Sequence, residues 1–181
     1  MSTKTQATLA DLYRVKGKAE IVHGEIVHMG PTGWKPGYAC GEIAVSLRDH
    51  ARRTGKGRAV TSNAGFRVNL PHRQSFSPDA AYWTGADPGM LFFDGAPVFA
   101  AEVRSEDDYG PAAERAMAAK RTDYFAVGTL VVWDVDLLSE DVVRIYRSSD
   151  PETPTLYRCG DLAEAEPAVP GWQMPVDDLF I

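Results

Sequence analysis

The stretch that most restricts the fold is "TLVVWDVD", residues 129–136, a nearly continuous apolar run rich in β-branched residues. A strand apolar on both sides has to be covered on both faces, so the run predicts a central, buried strand. Its flanks agree. Residues 111–127, "PAAERAMAAKRTDYFAV", read as a helix opened by Pro111 at a favoured first-turn position and stopped by Gly128. "DVVRIYRS" alternates and reads as a further strand.

The rest of the chain supplies the covering layers. "TLADLYRV" starts with a capping-box pattern, Thr8 to Asp11, and reads as a short helix. "AEIVHGEIVHMGPTG" reads as two strands joined by a tight turn at His23-Gly24. From Gly37 to about Arg53, Ala39, Ile43, Leu47 and Ala51 fall at helical spacing, and "TGKGR" ends that helix. "AVTSNAGFRVNL" reads as strand with a bulge or bend at Gly65. "PDAAYW" and "APVFAAEV" are two more strands, and the proline- and acid-rich last stretch is expected to pack loosely around the edge. Helices thus alternate with groups of strands, which predicts an α/β (α+β) fold, a mixed β-sheet flanked by helices. With 181 residues, 44% of them hydrophobic, one domain over 1–181 with a sizeable core is expected.

Charge and cysteine usage narrow the function classes. A net charge of −6 argues against a general nucleic-acid binder, without excluding a local basic patch. Cys40 and Cys159 stand far apart without a metal-like spacing, which fits a reducing cytoplasm. "MSTKTQATLADLYRVKGK" has no apolar signal region, and no apolar run approaches the ~18 residues of a membrane span. A cytoplasmic protein without membrane contact is expected.

Two of the strand-like runs each carry one carboxylate, Asp79 and Glu102, beside small residues (Ala80, Ala81, Ala100, Ala101) that leave room for a ligand. Acids are depleted in strands and costly in cores. Two carboxylates about 4 Å apart repel by roughly 1 kcal/mol in water and about 4 kcal/mol at an effective dielectric near 20. A divalent cation between them reverses that sign, and oxygen-only ligation suits Mg²⁺ or Mn²⁺. The plainer reading is that Asp79 caps the turn after Pro78 while Glu102 pairs with Arg104 or Lys120.

"GEIVHMGPTG", "SPDAAYW", "AAEVRSEDD", "KRTDYFAVGTLVVWDVD" and the closing "VPGWQMPVDDLF", taken in order over roughly residues 8–180, resemble the Uma2 family, a bacterial group of restriction-endonuclease-like proteins. The resemblance implies the PD-(D/E)xK nuclease superfamily, a core sheet flanked by helices and a divalent-metal site. Asp79 then matches the acid of the "PD" motif and Glu102 the glutamate of "AEVRS", with the carbonyl of Val103 as a further ligand. Lys120, with Tyr124 and Gly128 keeping the spacing, matches a helix-borne lysine. Glu25 matches a recurring family glutamate, and Glu42 is a second candidate for the remaining acid. Three departures stand near the site: Pro36 where a histidine is common, Arg104 where an apolar residue is usual, and Ser105-Glu106 where serine-proline is usual.

Metal-assisted phosphodiester hydrolysis of DNA is what this site implies. A catalytically degenerate relative that binds or assembles is the alternative. Arg48, Arg52, Arg53, Lys56 and Arg58 form a basic cluster that could grip a phosphate backbone, with Arg104 nearer the acids. The plainer reading of the cluster is a set of cations that complement a helix C-terminus. The tryptophans Trp34, Trp83, Trp133 and Trp172 read as core or edge packing rather than base-stacking platforms. The resemblance also implies a homodimer, and "VPGWQMPVDDLFI" is the candidate interface segment.

Overall fold

The computed structural model describes residues 6–180. In chain order its elements are α1 (Leu9–Leu12), β1 (Ala19–Val22), β2 (Glu25–His28), α2 (Trp34–Thr54), β3 (Arg58–Thr61), β4 (Phe66–Leu70), β5 (Arg73–Phe76), β6 (Ala80–Trp83), β7 (Phe93–Asp94), β8 (Phe99–Val103), α3 (Pro111–Ala126), β9 (Val131–Val135), β10 (Val143–Arg147), β11 (Asp150–Tyr157), β12 (Leu162–Glu164) and β13 (Gln173–Pro175). A 3₁₀ turn at Val176–Leu179 follows. The Thr8–Asp11 capping box forms as expected. The β1–β2 turn places His23 and Gly24 at φ 50° and 73°. Two successive left-handed residues match the twist of a two-residue hairpin.

A six-stranded sheet runs in the order β11-β10-β9-β8-β6-β3, and a five-stranded one in the order β2-β1-β5-β4-β7. Within the six-stranded sheet β8 and β9 are parallel, joined by the α3 crossover, and the other pairs are antiparallel. All five residues of β9 are buried, as its apolar run demands. Alternate residues feed two cores. Ala80, Tyr82, Phe99, Ala101 and Trp133 pack under α2 through Ala39, Ile43 and Leu47. Ala81, Trp83, Ala100 and Val132 face the other way, against Phe66 and Phe76 of the second sheet and Tyr124 of α3.

Three expectations change. Residues 59–70 are not one bent strand. β3 pairs with β6 and β4 with β5 and β7, so the segment crosses from one sheet to the other. Gly65 is not a bulge; a Cβ there would stand 2.8 Å from the Phe92 ring, so the glycine is demanded by a close approach. β5 carried no strand pattern and exists through its two neighbours.

The third change concerns the last stretch, which is core rather than loose edge. Trp172, Met174, Val176 and Leu179 are fully buried. Trp172 stacks on Trp133 at 4.9 Å and donates its indole N–H to Ser46 Oγ at 3.0 Å. The apolar side chains Val169, Trp172, Met174, Val176 and Leu179 of "VPGWQMPVDDLF" are therefore spent within the chain; Ile181 lies outside the described residues. Among the described residues no helix is long and apolar enough to cross a membrane.

Candidate active site

Strand parity brings the two acids together. Asp79 is two residues before Ala81, and Glu102 two after Ala100, so both extend the face that carries α3 and the second sheet. Both line one cleft of about 960 Å³. Asp79 stands where the β6–β8 ladder ends. Its Oδ2 accepts the N–H of Val103 at 2.9 Å, a bond that a strand carbonyl would otherwise take. Its Oδ1 accepts from Lys18 Nζ at 2.6 Å. Cys40 Sγ donates to the Asp79 carbonyl at 2.8 Å, and burial followed by the Asp79 charge pushes that thiol up to about 11.

Glu102 is held from α3. Lys120 and Tyr124, four apart, present one helix face to it. Lys120 Nζ lies 2.9 Å from Glu102 Oε1, and the Tyr124 hydroxyl donates to the same oxygen at 2.6 Å. Lys120 also lies 3.0 Å from Glu20 Oε1. Glu20, in β1, is almost fully buried; Arg73 donates to its Oε2 at 2.6 Å and the Ser77 N–H to its Oε1 at 2.9 Å. Arg73 in turn donates to buried Asp123 at 2.8 Å.

The electrostatics follow from this packing. Burial, with the nearby Asp79 and Glu20 charges, holds the Glu102 carboxyl above its ordinary pKa even though Lys120 opposes it. Burial also penalises the Glu20 charge, but Lys120, Arg73 and the Ser77 N–H outweigh it and draw its pKa down. For Lys120 burial works against the ammonium, and the two glutamates overcome it and raise its pKa. Burial and the Glu102 charge raise Tyr124 well above a free tyrosine, so it stays a proton donor. Tyr124→Phe keeps the ring stacked on Phe76 at 4.0 Å but removes a bond to a charged acceptor. We expect a loss of about 1.5 kcal/mol, read by urea unfolding.

A family profile described as "Putative restriction endonuclease" matches residues 8–177. The chain belongs to the Uma2 family. No curated protein matches it. Among solved structures, a protein from Anabaena variabilis described as "a putative nuclease belonging to DUF820" is 17% identical, with 96% of this chain and 97% of that chain covered at a TM-score of 0.74. At that identity the likeness shows a shared fold.

Of the residues singled out from the Uma2 pattern, Asp79, Glu102, Val103 and Lys120 meet in the cleft. Glu25 and Glu42 do not line it. Glu25 is exposed at the start of β2, and Glu42 lies half-buried on α2. The acid that reaches Lys120 is Glu20, from the strand paired with β2. A glutamate inside the otherwise apolar "AEIV" was its signal.

The basic cluster is not part of the site. Arg48, Arg52, Arg53, Lys56 and Arg58 lie at and beyond the C-terminal end of α2, a 21-residue helix about 30 Å long that begins beside the cleft. Arg48 pairs with Asp49 and Arg58 with Asp87.

Arg104 is corrected as well. It is only 3% exposed, and its guanidinium grips Asp134 through Nε at 2.8 Å and a second nitrogen at 2.7 Å, with Glu114 on its outer side. The parallel register sets Glu102 opposite Asp134. Arg104 thereby neutralises a second acid beside Glu102 and has no fork left for a phosphate.

Among the described residues no three His, Cys, Asp or Glu side chains are grouped to hold a metal ion. The donor set at the ladder end is nonetheless all oxygen: the Asp79 and Glu102 carboxylates and the Val103 carbonyl. In an extended strand a residue's N–H and C=O point to the same side, so the Val103 carbonyl shares the side of the N–H that meets Asp79. Among the described residues nothing is hydrogen-bonded to Oε2 of Glu102. These donors suit a hard dication in kind.

Proposed function

We propose that this Uma2 protein is a metal-dependent nuclease that hydrolyses phosphodiester bonds in DNA. Asp79 and Glu102, with the Val103 carbonyl, would hold Mg²⁺ or Mn²⁺. The observation that carries the reading is the Lys120 ammonium 2.9 Å from Glu102 in the cleft that also holds Asp79. The nuclease descriptions of the family and of the Anabaena protein support it. When bound, such an ion supplies Lewis-acid polarisation of a phosphoryl oxygen and a bound water of lowered pKa.

The chain's own groups do the positioning. Tyr124 and Lys120 fix Glu102 from one side. Glu20, itself fixed by Arg73 and Ser77, keeps Lys120 at the cleft when Glu102 is engaged elsewhere. A fixed ammonium there stabilises negative charge as it develops on the phosphoryl oxygens.

One observation favours the second reading, a degenerate nuclease fold that binds or assembles. Lys18 at 2.6 Å already neutralises Asp79 without any metal. Calorimetry with Mn²⁺ separates the two. Under the nuclease reading the wild type binds the ion, and Asp79→Ala abolishes the heat. Absent binding in the wild type, together with intact plasmid and single-stranded DNA after incubation with Mn²⁺ or Mg²⁺, leaves only the second reading.

A further inference from the structure

The two acids of the cleft are not equally ready for an ion. Both oxygens of Asp79 already have a donor: Oδ2 accepts the Val103 N–H at 2.9 Å and Oδ1 accepts Lys18 Nζ at 2.6 Å. Among the described residues Oε2 of Glu102 carries no hydrogen bond. Glu102 can therefore accept a dication without giving up a bond, whereas Oδ1 of Asp79 is gained only against an ammonium. Two cations on one carboxylate oxygen repel. Solvent screens them only in part, since the Lys18 and Asp79 side chains are 16% and 22% exposed.

The two lysines of the cleft are also held differently. Lys120 is shared between Glu102 and Glu20, so it keeps a counter-charge when Glu102 turns to an ion. Among the described residues Lys18 has Asp79 as its one ion-pair partner. Its charge also acts on Glu102, against the burial that dominates that carboxyl. One ammonium thus bears on both proposed ligands, as a bound dication would. Its backbone is fixed as well. Gly17, at φ 95°, turns the chain into β1, and the Lys18 carbonyl accepts the Met29 N–H at 2.9 Å. An ammonium on a flexible stem and a fixed backbone cannot diffuse away, so it competes at an effective concentration rather than a bulk one.

We propose that Lys18 is a tethered counter-ion that competes with the dication for Asp79 and sets how tightly the cleft holds it. This rests on the metal site proposed above for Asp79 and Glu102. Lys18 compensates Asp79 before the ion is bound, then leaves Oδ1 while its stem keeps the ammonium in the cleft.

The test is ion binding by the full chain, read by calorimetry with Mn²⁺ and without DNA. Lys18→Met keeps an apolar stem and removes the charge. It should bind Mn²⁺ about tenfold tighter than the wild type, the scale of one charge-assisted hydrogen bond. Lys18→Arg keeps a cation at Asp79 and should stay close to the wild type. Lys18→Met/Asp79→Ala should lose the ion, since the gain runs through Asp79. Melting curves in EDTA verify that each variant is folded. Lys18→Met should melt below the wild type there and recover more than the wild type does when Mn²⁺ is added, because the ion replaces the missing ammonium. A Lys18→Met that binds Mn²⁺ no tighter than the wild type, or an equal gain in Lys18→Arg, overturns the proposal and leaves the metal site standing. A silent wild type beside a Lys18→Met that binds supports it, with the lysine then excluding the ion outright. If neither binds, the metal site falls and the proposal with it.

Discussion

Glu102→Ala should reduce metal-dependent DNA cleavage about 10³-fold, a loss of roughly 4 kcal/mol in transition-state stabilisation. Glu102 is the cleft carboxylate that holds Lys120 at 2.9 Å through Oε1, while among the described residues its Oε2 carries no hydrogen bond. Truncation leaves Asp79 as the sole acid at the ladder end, and its Oδ1 is already engaged by Lys18. Lys120 remains tied to Glu20, so the cation persists while its partner acid is gone. Glu102→Gln tells charge from shape. It still accepts from Tyr124 and still fills the site, yet it should lose nearly as much activity, because an amide oxygen is a poor match for a hard dication. Undiminished cleavage by purified Glu102→Ala would point to a contaminating nuclease and end the assignment.

Arg104→Met should destabilise the fold by about 3–5 kcal/mol, measured by urea unfolding. Asp134 is 3% exposed, and the guanidinium meets both of its oxygens. Removing the cation leaves the buried carboxylate, among the described residues, only Arg144, at 3.9 Å, so most of its desolvation goes uncompensated. Glu114 lies mostly in solvent, with half of its side chain exposed, so its part of the contact is small. The double variant Arg104→Met/Asp134→Leu should recover most of the loss, since an apolar pair of similar volume often matches a buried ion pair. A single variant within 1 kcal/mol of wild type would contradict this account of Arg104.

Local chemistry made much of the site legible. Lys120 and Tyr124 stand four apart on a helix bounded by Pro111 and Gly128, so their shared face follows from helical geometry. Asp79 and Glu102 drew attention as acids beside alanines in strand-like runs. Their common cleft follows from which strands pair and from the period of two. Glu20 was not legible as a partner of Lys120. It reaches Lys120 only because β1 pairs with β5, where Val22 stands opposite Arg73, and no spacing along the chain encodes that pairing. Glu25 resembled the missing acid in motif, but it stands at the turn end of its hairpin, away from the cleft.

What the sequence by itself determined is therefore local and periodic. It set the turn at His23-Gly24, the C-terminal end of α2, the limits of α3, the burial of β9 and the face each strand residue occupies. These depend on backbone sterics and on a hydrophobic alternation that neighbours along the chain enforce. Tertiary structure alone decided the rest: that residues 59–70 divide between two sheets, that the terminal segment closes the core through Trp172, that Arg104 serves Asp134, and that Glu20 completes the lysine's cage. The physical reason is burial. A charged side chain removed from water has to find its counter-charge in space, and the sheet pairing determines which one is within reach.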